Sequence, residues 1–200
     1  MPEAVTYTPY HHGNLRAELL DAAVKAVDEN GVDGLSLRAL AREAGVSHAA
    51  PARHFPDREA LLDALAIYGF EQLTAELDAA ADAPGASFEA RLELVAQTYI
   101  EFSIKHGSLL DLMYRTKHQE GKDEIVAAGE RSFERPIALI AASQEAGEIV
   151  PGDPELIASI AFATIHGLAS LAGSGMIEPD IVRAAVPLAI TQMRDGLRPR

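Results

Sequence analysis

LSLRALAREAGVSHAAPARHF, residues 35–55, is the stretch on which the reading of this chain turns. Ser36 stands where an N-cap belongs, and Leu37, Leu40 and Ala41 after it fall on one stripe of a short helix that Gly45 ends. Gly45-Val46-Ser47 then makes a three-residue turn, and Ser47 caps a second short helix closed by Phe55. Pro51 is the fourth residue of that helix. A proline inside a helix costs about 3 kcal/mol, because it removes one backbone bond and clashes with the carbonyl four residues back. Here that carbonyl belongs to the cap, so the spacing predicts a short helix that loses at most its first bond. Two short helices joined by a glycine-containing turn are the sequence form of a helix-turn-helix, and equally of a plain αα-corner. In the former, the second helix lies in the major groove with its first residues facing base edges.

Helical periodicity continues on both sides. Leu15 to Asn30 puts Leu19, Ala23, Ala26 and Val27 on one stripe and stops at Gly31. Asp57 caps a long helix running to about Ala81, with Leu61, Leu65, Leu73 and Leu77 inward. Ala83-Pro84-Gly85-Ala86 reads as a turn, and Ser87 caps a helix to about Lys105. A short helix follows over Gly107 to Arg115. Asp123 to Ala146 is helical with a kink or break expected at Pro136. Asp153-Pro154 opens a helix to about Ala172, and Pro179-Asp180 opens a last one to about Gly196, interrupted at Pro187. Strand alternation is scarce, so the fold class is all-α.

Composition limits the function. The 200-residue chain is long enough for a sizeable core, and its absence of cysteine excludes a disulfide framework, a thiolate zinc site and a cysteine nucleophile. No basic segment followed by an apolar core opens it, so no secretory signal is expected. Leu156 to Ile177 runs 22 residues without a formal charge, long enough for a bilayer. It carries His166, several hydroxyl residues and the Gly173-Ser174-Gly175 end, with no flanking basic cluster, so a helix buried on most sides is expected instead of a membrane span. The formal charge of −13 argues against a general nucleic-acid coat. Residues 1–70 hold six basic against ten acidic side chains, so a DNA reader requires those charges to be segregated.

Residues 12–65, HGNLRAELLDAAVKAVDENGVDGLSLRALAREAGVSHAAPARHFPDREALLDAL, resemble the N-terminal domain of the TetR family of transcriptional regulators. The resemblance rests on Gly31, the Leu35–Ser47 block, the His54-Phe55 pair and Arg58-Glu59. The stretch Phe162-Ala-Thr-Ile-His166-Gly167-Leu168 is similar to the Trp-His-Gly segment of one subgroup, with Phe162 where that subgroup has tryptophan. The resemblance implies an N-terminal three-helix DNA-binding domain over 1–60 and a larger C-terminal helical domain over 61–200 that binds a ligand and dimerises.

Carried over position by position, His48, Ala49, Ala50 and Ala52 fall where the family touches base edges. Arg38, in the helix capped by Ser36, reaches the groove or its phosphates. Arg53, His54 and Arg58 match phosphate contacts, with Ser47 at the start of the reading helix. The family commonly has tyrosine at the position of Ala52, so one backbone donor is missing here. Small side chains let a helix approach the groove closely, and alanine methyls can meet thymine methyls. His48 and Arg38 are left as the base-directed donors, and DNA shape supplies part of the specificity. Tyr7, Tyr10, His11 and His12 are either a disordered tail or an arm on DNA.

For the C-terminal domain, the resemblance implies a homodimer through the last two long helices and a pocket for an unidentified small-molecule effector. Candidate lining residues are Tyr99, Phe102, His106 and Met113 with Tyr114, Phe133, Phe162 and His166, all of them also ordinary core types. His166 is singled out because a ring on an apolar helix needs a polar partner when buried. No histidine has an acid three or four residues before it, and no nucleophile or nucleotide motif is present, so neither an enzyme, a cofactor nor a metal site is expected. The expected protein is a cytoplasmic, ligand-responsive binder of double-stranded operator DNA, a repressor. The alternative is a helical dimeric interaction protein whose DNA module has weakened.

Overall fold

The computed structural model describes residues 15–197, so Tyr7, Tyr10, His11 and His12 lie outside the described residues. Those described form eight α-helices, α1 Leu15–Asn30, α2 Leu37–Glu43, α3 Arg58–Ala81, α4 Phe88–Lys105, α5 Gly107–Lys117, α6 Asp123–Glu145, α7 Pro154–Gly173 and α8 Pro179–Leu197, with 3-10 turns at Val32–Gly34 and Pro51–Arg53.

Local chemistry sets most boundaries. The side chains of Ser36, Asp57, Ser87 and Asp153 accept backbone N–H groups of Ala39, Ala60, Ala90 and Glu155 at 3.2, 2.8, 3.2 and 2.9 Å. Each cap satisfies donors that the first helical turn leaves unpaired. Gly31 and Gly45 take φ of +71° and +66°, a left-handed backbone that glycine adopts without penalty, and so stop α1 and follow α2.

The reading segment departs from the expected second helix. Pro51 has no N–H for the Ser47 carbonyl, which instead accepts from Ala50 N at 2.9 Å. The short spacing continues, with Arg53 N bonded to Ala50 O at 3.2 Å and His54 N to Pro51 O at 2.9 Å, so the segment tightens into turns and a 3-10 helix. Elsewhere proline does less than expected. Pro136 and Pro187 sit within the continuous helices α6 and α8, so neither the break expected at Pro136 nor the interruption at Pro187 occurs.

Helix α3 is the spine of the fold. It packs against α1, α4, α5 and α6, while α4 carries α7 and α8 on its other side. One core runs through all of them, from Leu19 on α1 to Ile190 on α8. Phe70, fully buried, meets the Tyr114 ring edge-on at 5.7 Å. Burying a ring of that size stabilises by roughly 1.5–3 kcal/mol. Pairs between distant elements tie the periphery: Arg183 with Glu101, Arg194 with Glu89, and Arg135 with Asp82.

Helix α3 approaches α5 closely at Gly69, where an added Cβ would lie 2.6 Å from Met113 Sδ and 3.2 Å from Leu109 Cγ. Overpacking costs about 1–3 kcal/mol, against about 0.5–1 kcal/mol that alanine gains over glycine inside a helix. Gly69→Ala is therefore expected to lower stability by about 1 kcal/mol in urea unfolding. An unchanged or higher midpoint would show that Met113 gives way freely.

Candidate nucleic-acid interface and ligand cavity

Two features stand at opposite ends of α3. At its N-terminal end lies the reading segment, residues 36–54, where Ser36, Arg38, Ser47, His48, Ala49, Ala52, Arg53 and His54 are exposed. Ala50 is half-buried, and Pro51 and Phe55 anchor the turn in the core. The segment carries Arg38, Arg42 and Arg53 against the single acid Glu43. Several acids of the neighbouring helices are engaged elsewhere. Asp21 accepts from Tyr68 Oη at 2.5 Å, Asp28 meets His106 Nδ1 at 2.6 Å, and Glu59 and Asp63 hold Lys122 Nζ at 2.9 and 2.7 Å. The segment itself is thus net basic within an acidic chain, as a DNA reader requires.

Arg58, exposed at the start of α3, is also tied to the backbone of the head. Its Nη2 donates to Val32 O at 2.8 Å and its Nε to Leu35 O at 3.3 Å, holding the turn that leads into α2. Arg16 was not anticipated from the sequence. Its guanidinium sits 5.6 Å from the Phe55 ring centroid and joins α1 to the base of the reading turn.

The second feature is a cavity of about 70 Å³ between α3, α4, α5, α6, α7 and α8. Tyr99, Tyr114, Phe133 and Phe162 line it, as expected of them. Leu73 and Leu77 of α3, Ala96 of α4, Pro136 of α6 and Met193 of α8 also do, and only packing distinguishes them from other core residues. An outer cleft of about 640 Å³ lies beyond, with Asp28, Ser103, Lys105 and Asp111 on its walls. Tyr114 borders both spaces, and His166 faces the cleft. Phe102, Met113 and His106 lie elsewhere. Phe102 and Met113 are core residues, and His106 packs on the Phe102 ring while holding Asp28.

His166 has the polar partner its position demanded: Nδ1 lies 2.8 Å from Tyr99 Oη, which in turn lies 3.4 Å from Tyr114 Oη. Phe162 stacks on the imidazole at 5.2 Å. Burial pushes the Tyr99 and Tyr114 phenols above their ordinary range. It pulls His166 below its own, against a smaller opposing effect of Asp111. All three therefore stand uncharged at neutral pH.

Among the described residues, the body is all-helical, with an arginine-bearing reading turn at one end of a shared helix and a cavity at the other. Comparison supplies the family. Residues 19–65 match the family model of bacterial regulatory proteins of the tetR family, and residues 92–192 match that of the tetracyclin repressor-like C-terminal domain. The chain belongs to the TetR family.

The tetracycline repressor protein class D of Escherichia coli is 34% identical over 84 residues, 42% of this chain and 37% of that protein. The transcriptional regulator BetI of Burkholderia mallei is 34% identical over 79 residues, 38% of this chain and 40% of that protein. The chain thus spans about two fifths of these relatives' length. Among solved structures, a protein of unknown function from Rhodococcus sp. RHA1 is 47% identical, with a TM-score of 0.86 over 96% of this chain and 100% of that one. The regulator FadR of Bacillus subtilis, solved with stearoyl-CoA, shares the fold at 19% identity, with a TM-score of 0.74 over 92% of this chain and 100% of that one.

Two outcomes follow from the geometry. Arg58→Ala lowers the thermal unfolding midpoint, because two carbonyls of the head lose their donor, whereas Arg38→Ala, on an exposed face, stays within about 0.5 kcal/mol of the parent. Equal midpoints for the two variants would remove the bracing role of Arg58. In a spectrophotometric titration, the Tyr99→Phe, Tyr114→Phe double variant matches the parent's phenolate absorbance across the ordinary tyrosine range, since burial pushes both phenols above it. A smaller signal from the variant would contradict their protected state.

Proposed function

We propose that this chain is a homodimeric, sequence-specific DNA-binding transcriptional regulator, a repressor released from its operator by a small molecule held in the C-terminal cavity. The observation that carries the reading is the continuity of α3. Its first residue, Arg58, braces the reading head, and Leu73 and Leu77 near its other end line the cavity. A ligand that favours one position of this rod at the cavity end changes the placement of the reading head at the other, which is a population shift between operator-matched and mismatched spacings. The same reading puts the domain boundary near residue 60, within the first turn of α3, and places the protein in the cytoplasm, where the chromosome is.

Dimerisation follows from exposure. Helix α7 is long and apolar enough to cross a membrane, yet only 22% of its most apolar window is buried within one chain. Leu156 and Ile160 on α7, with Ile181 and Leu188 on α8, stand 60–63% exposed. A second copy supplies the cover that this surface needs, giving a four-helix interface with two-fold symmetry.

At the head, the proposed phosphate and base contacts are those of the exposed reading segment. Arg38 and His48 supply base-directed donors, Arg53, His54, Ser36 and Ser47 supply backbone contacts, and Ala49, Ala50 and Ala52 permit close approach. Arg58 contributes by holding that segment in shape. The runner-up reading, an interaction protein whose DNA module has weakened, draws on the alanine at position 52 and the tightened turn.

Fluorescence anisotropy with fragments flanking the protein's own gene, in the presence of random competitor at two salt concentrations, separates the two readings. The regulator gives tight binding to one fragment that survives competitor, and Arg38→Ala brings cognate and random affinities closer together. Uniform weak binding that vanishes with salt establishes the runner-up.

A further inference from the structure

The wall between the cavity and the outer cleft is a relay of three hydrogen-bonding groups, His166 Nδ1, Tyr99 Oη and Tyr114 Oη, in that order. Its protons can be counted. With hydrogen on Nδ1, the imidazole donates to Tyr99 and Tyr99 donates to Tyr114, which leaves the Tyr114 hydroxyl proton unused. With hydrogen on Nε2, Tyr99 donates to Nδ1 and Tyr114 donates to Tyr99, which leaves Nε2–H unused on the cleft side. Tyr99 donates to Tyr114 here, so the first arrangement holds and the spare donor is the Tyr114 hydroxyl. A buried donor without a partner costs more than an unused lone pair, so the wall asks for an acceptor.

The rest of the cavity fixes the character of that acceptor. Among the described residues, no ionisable carboxylate, ammonium, guanidinium or imidazole lines it, and its walls are mostly aliphatic and aromatic side chains. Ser132, its other hydroxyl, already donates to Gly129 O at 2.6 Å. A charged molecule would lose its hydration here and find no counter-charge. Burial also holds both phenols and the imidazole in their neutral forms, so none of them supplies one.

Resting on the cavity as the effector site, we infer that it takes an uncharged, largely apolar molecule bearing one carbonyl-type hydrogen-bond acceptor, which accepts from the Tyr114 hydroxyl. Tyr114 reads the acceptor, and Tyr99 and His166 are positioning residues that commit the tyrosine's own oxygen and turn its proton outward. The shared border at Tyr114 lets the body of the ligand fill the cavity while any surplus length extends into the cleft.

Titration calorimetry of the full chain with 2-octanone, octanoate and octylamine at pH 7 tests this, because the three probes share a chain and differ in the charge and bonding of the head. The expected result is saturable binding of 2-octanone, with octanoate and octylamine at least tenfold weaker. Tyr114→Phe keeps the ring and weakens 2-octanone at least fivefold. Tyr99→Phe weakens it less, and Ala161→Leu, which fills the cavity, abolishes it. Unfolding midpoints establish that the variants are folded. Absence of 2-octanone binding, equal binding of either charged probe, or undiminished binding by Tyr114→Phe would overturn the inference. Anisotropy on the same preparations without probe keeps the two questions apart. Selective DNA binding with no ketone binding sinks this inference alone, whereas ketone binding without selective DNA binding sinks the regulator reading and leaves the cavity chemistry standing.

Discussion

A helix of 24 residues is about 36 Å long, and α3 buries a side along nearly all of that length, from Leu61 to Ala81. The other helices are arranged by what they place on it: α1, α4, α5 and α6 all pack against it, and α6 runs beside its whole length, from Lys122 at Glu59 and Asp63 to Arg135 at Asp82. Because interiors are close-packed and bistable more readily than they are compressible, a rod buried in this way transmits displacement. The close approach at Gly69 is where the rod bears on α5, the helix that also carries Tyr114. Cavity and reading head are joined by one continuous element, with polar ties at its flank: Lys122 to Glu59 and Asp63, and His106 to Asp28.

Features written locally were legible in the sequence. Ser36, Asp57, Ser87 and Asp153 each announce a helix start because an N-cap needs only its own side chain and the N–H groups two or three residues ahead. Helix α7 was expected to be buried on most sides, yet within one chain only 22% of its most apolar window is buried. What escaped depended on long-range packing or on details of a single turn. The backbone partners of Arg58 lie 23 and 26 residues away, so its bracing of the head was not legible from its own neighbourhood. The proline at position 51 was weighed for the one bond it removes, yet its missing N–H let the whole segment close to the tighter spacing.

The cavity shows the same division. Tyr99, Tyr114, Phe133 and Phe162 were proposed with Phe102, Met113 and His106 on residue type alone, and aromatic and methionine side chains fill cores and line pockets equally well. Only the fold sorts them, by turning Phe102 and Met113 into the core and His106 toward Asp28. His166 stood out in the sequence as a polar ring on an apolar helix, and its need for a partner was met by a phenol 67 residues away.

The central claim is that two reading heads are held at a defined spacing by α3 within a dimer. The absence of cysteine permits a single spin label at Glu29→Cys, exposed on α1 and outside the reading segment, and pulsed dipolar spectroscopy with and without operator-bearing DNA measures the distance between the heads. The account predicts a discrete distance that narrows on DNA to one compatible with half-sites about 34–36 Å apart, one turn of the duplex. A broad distribution indifferent to DNA, or no dipolar coupling at all, would contradict it.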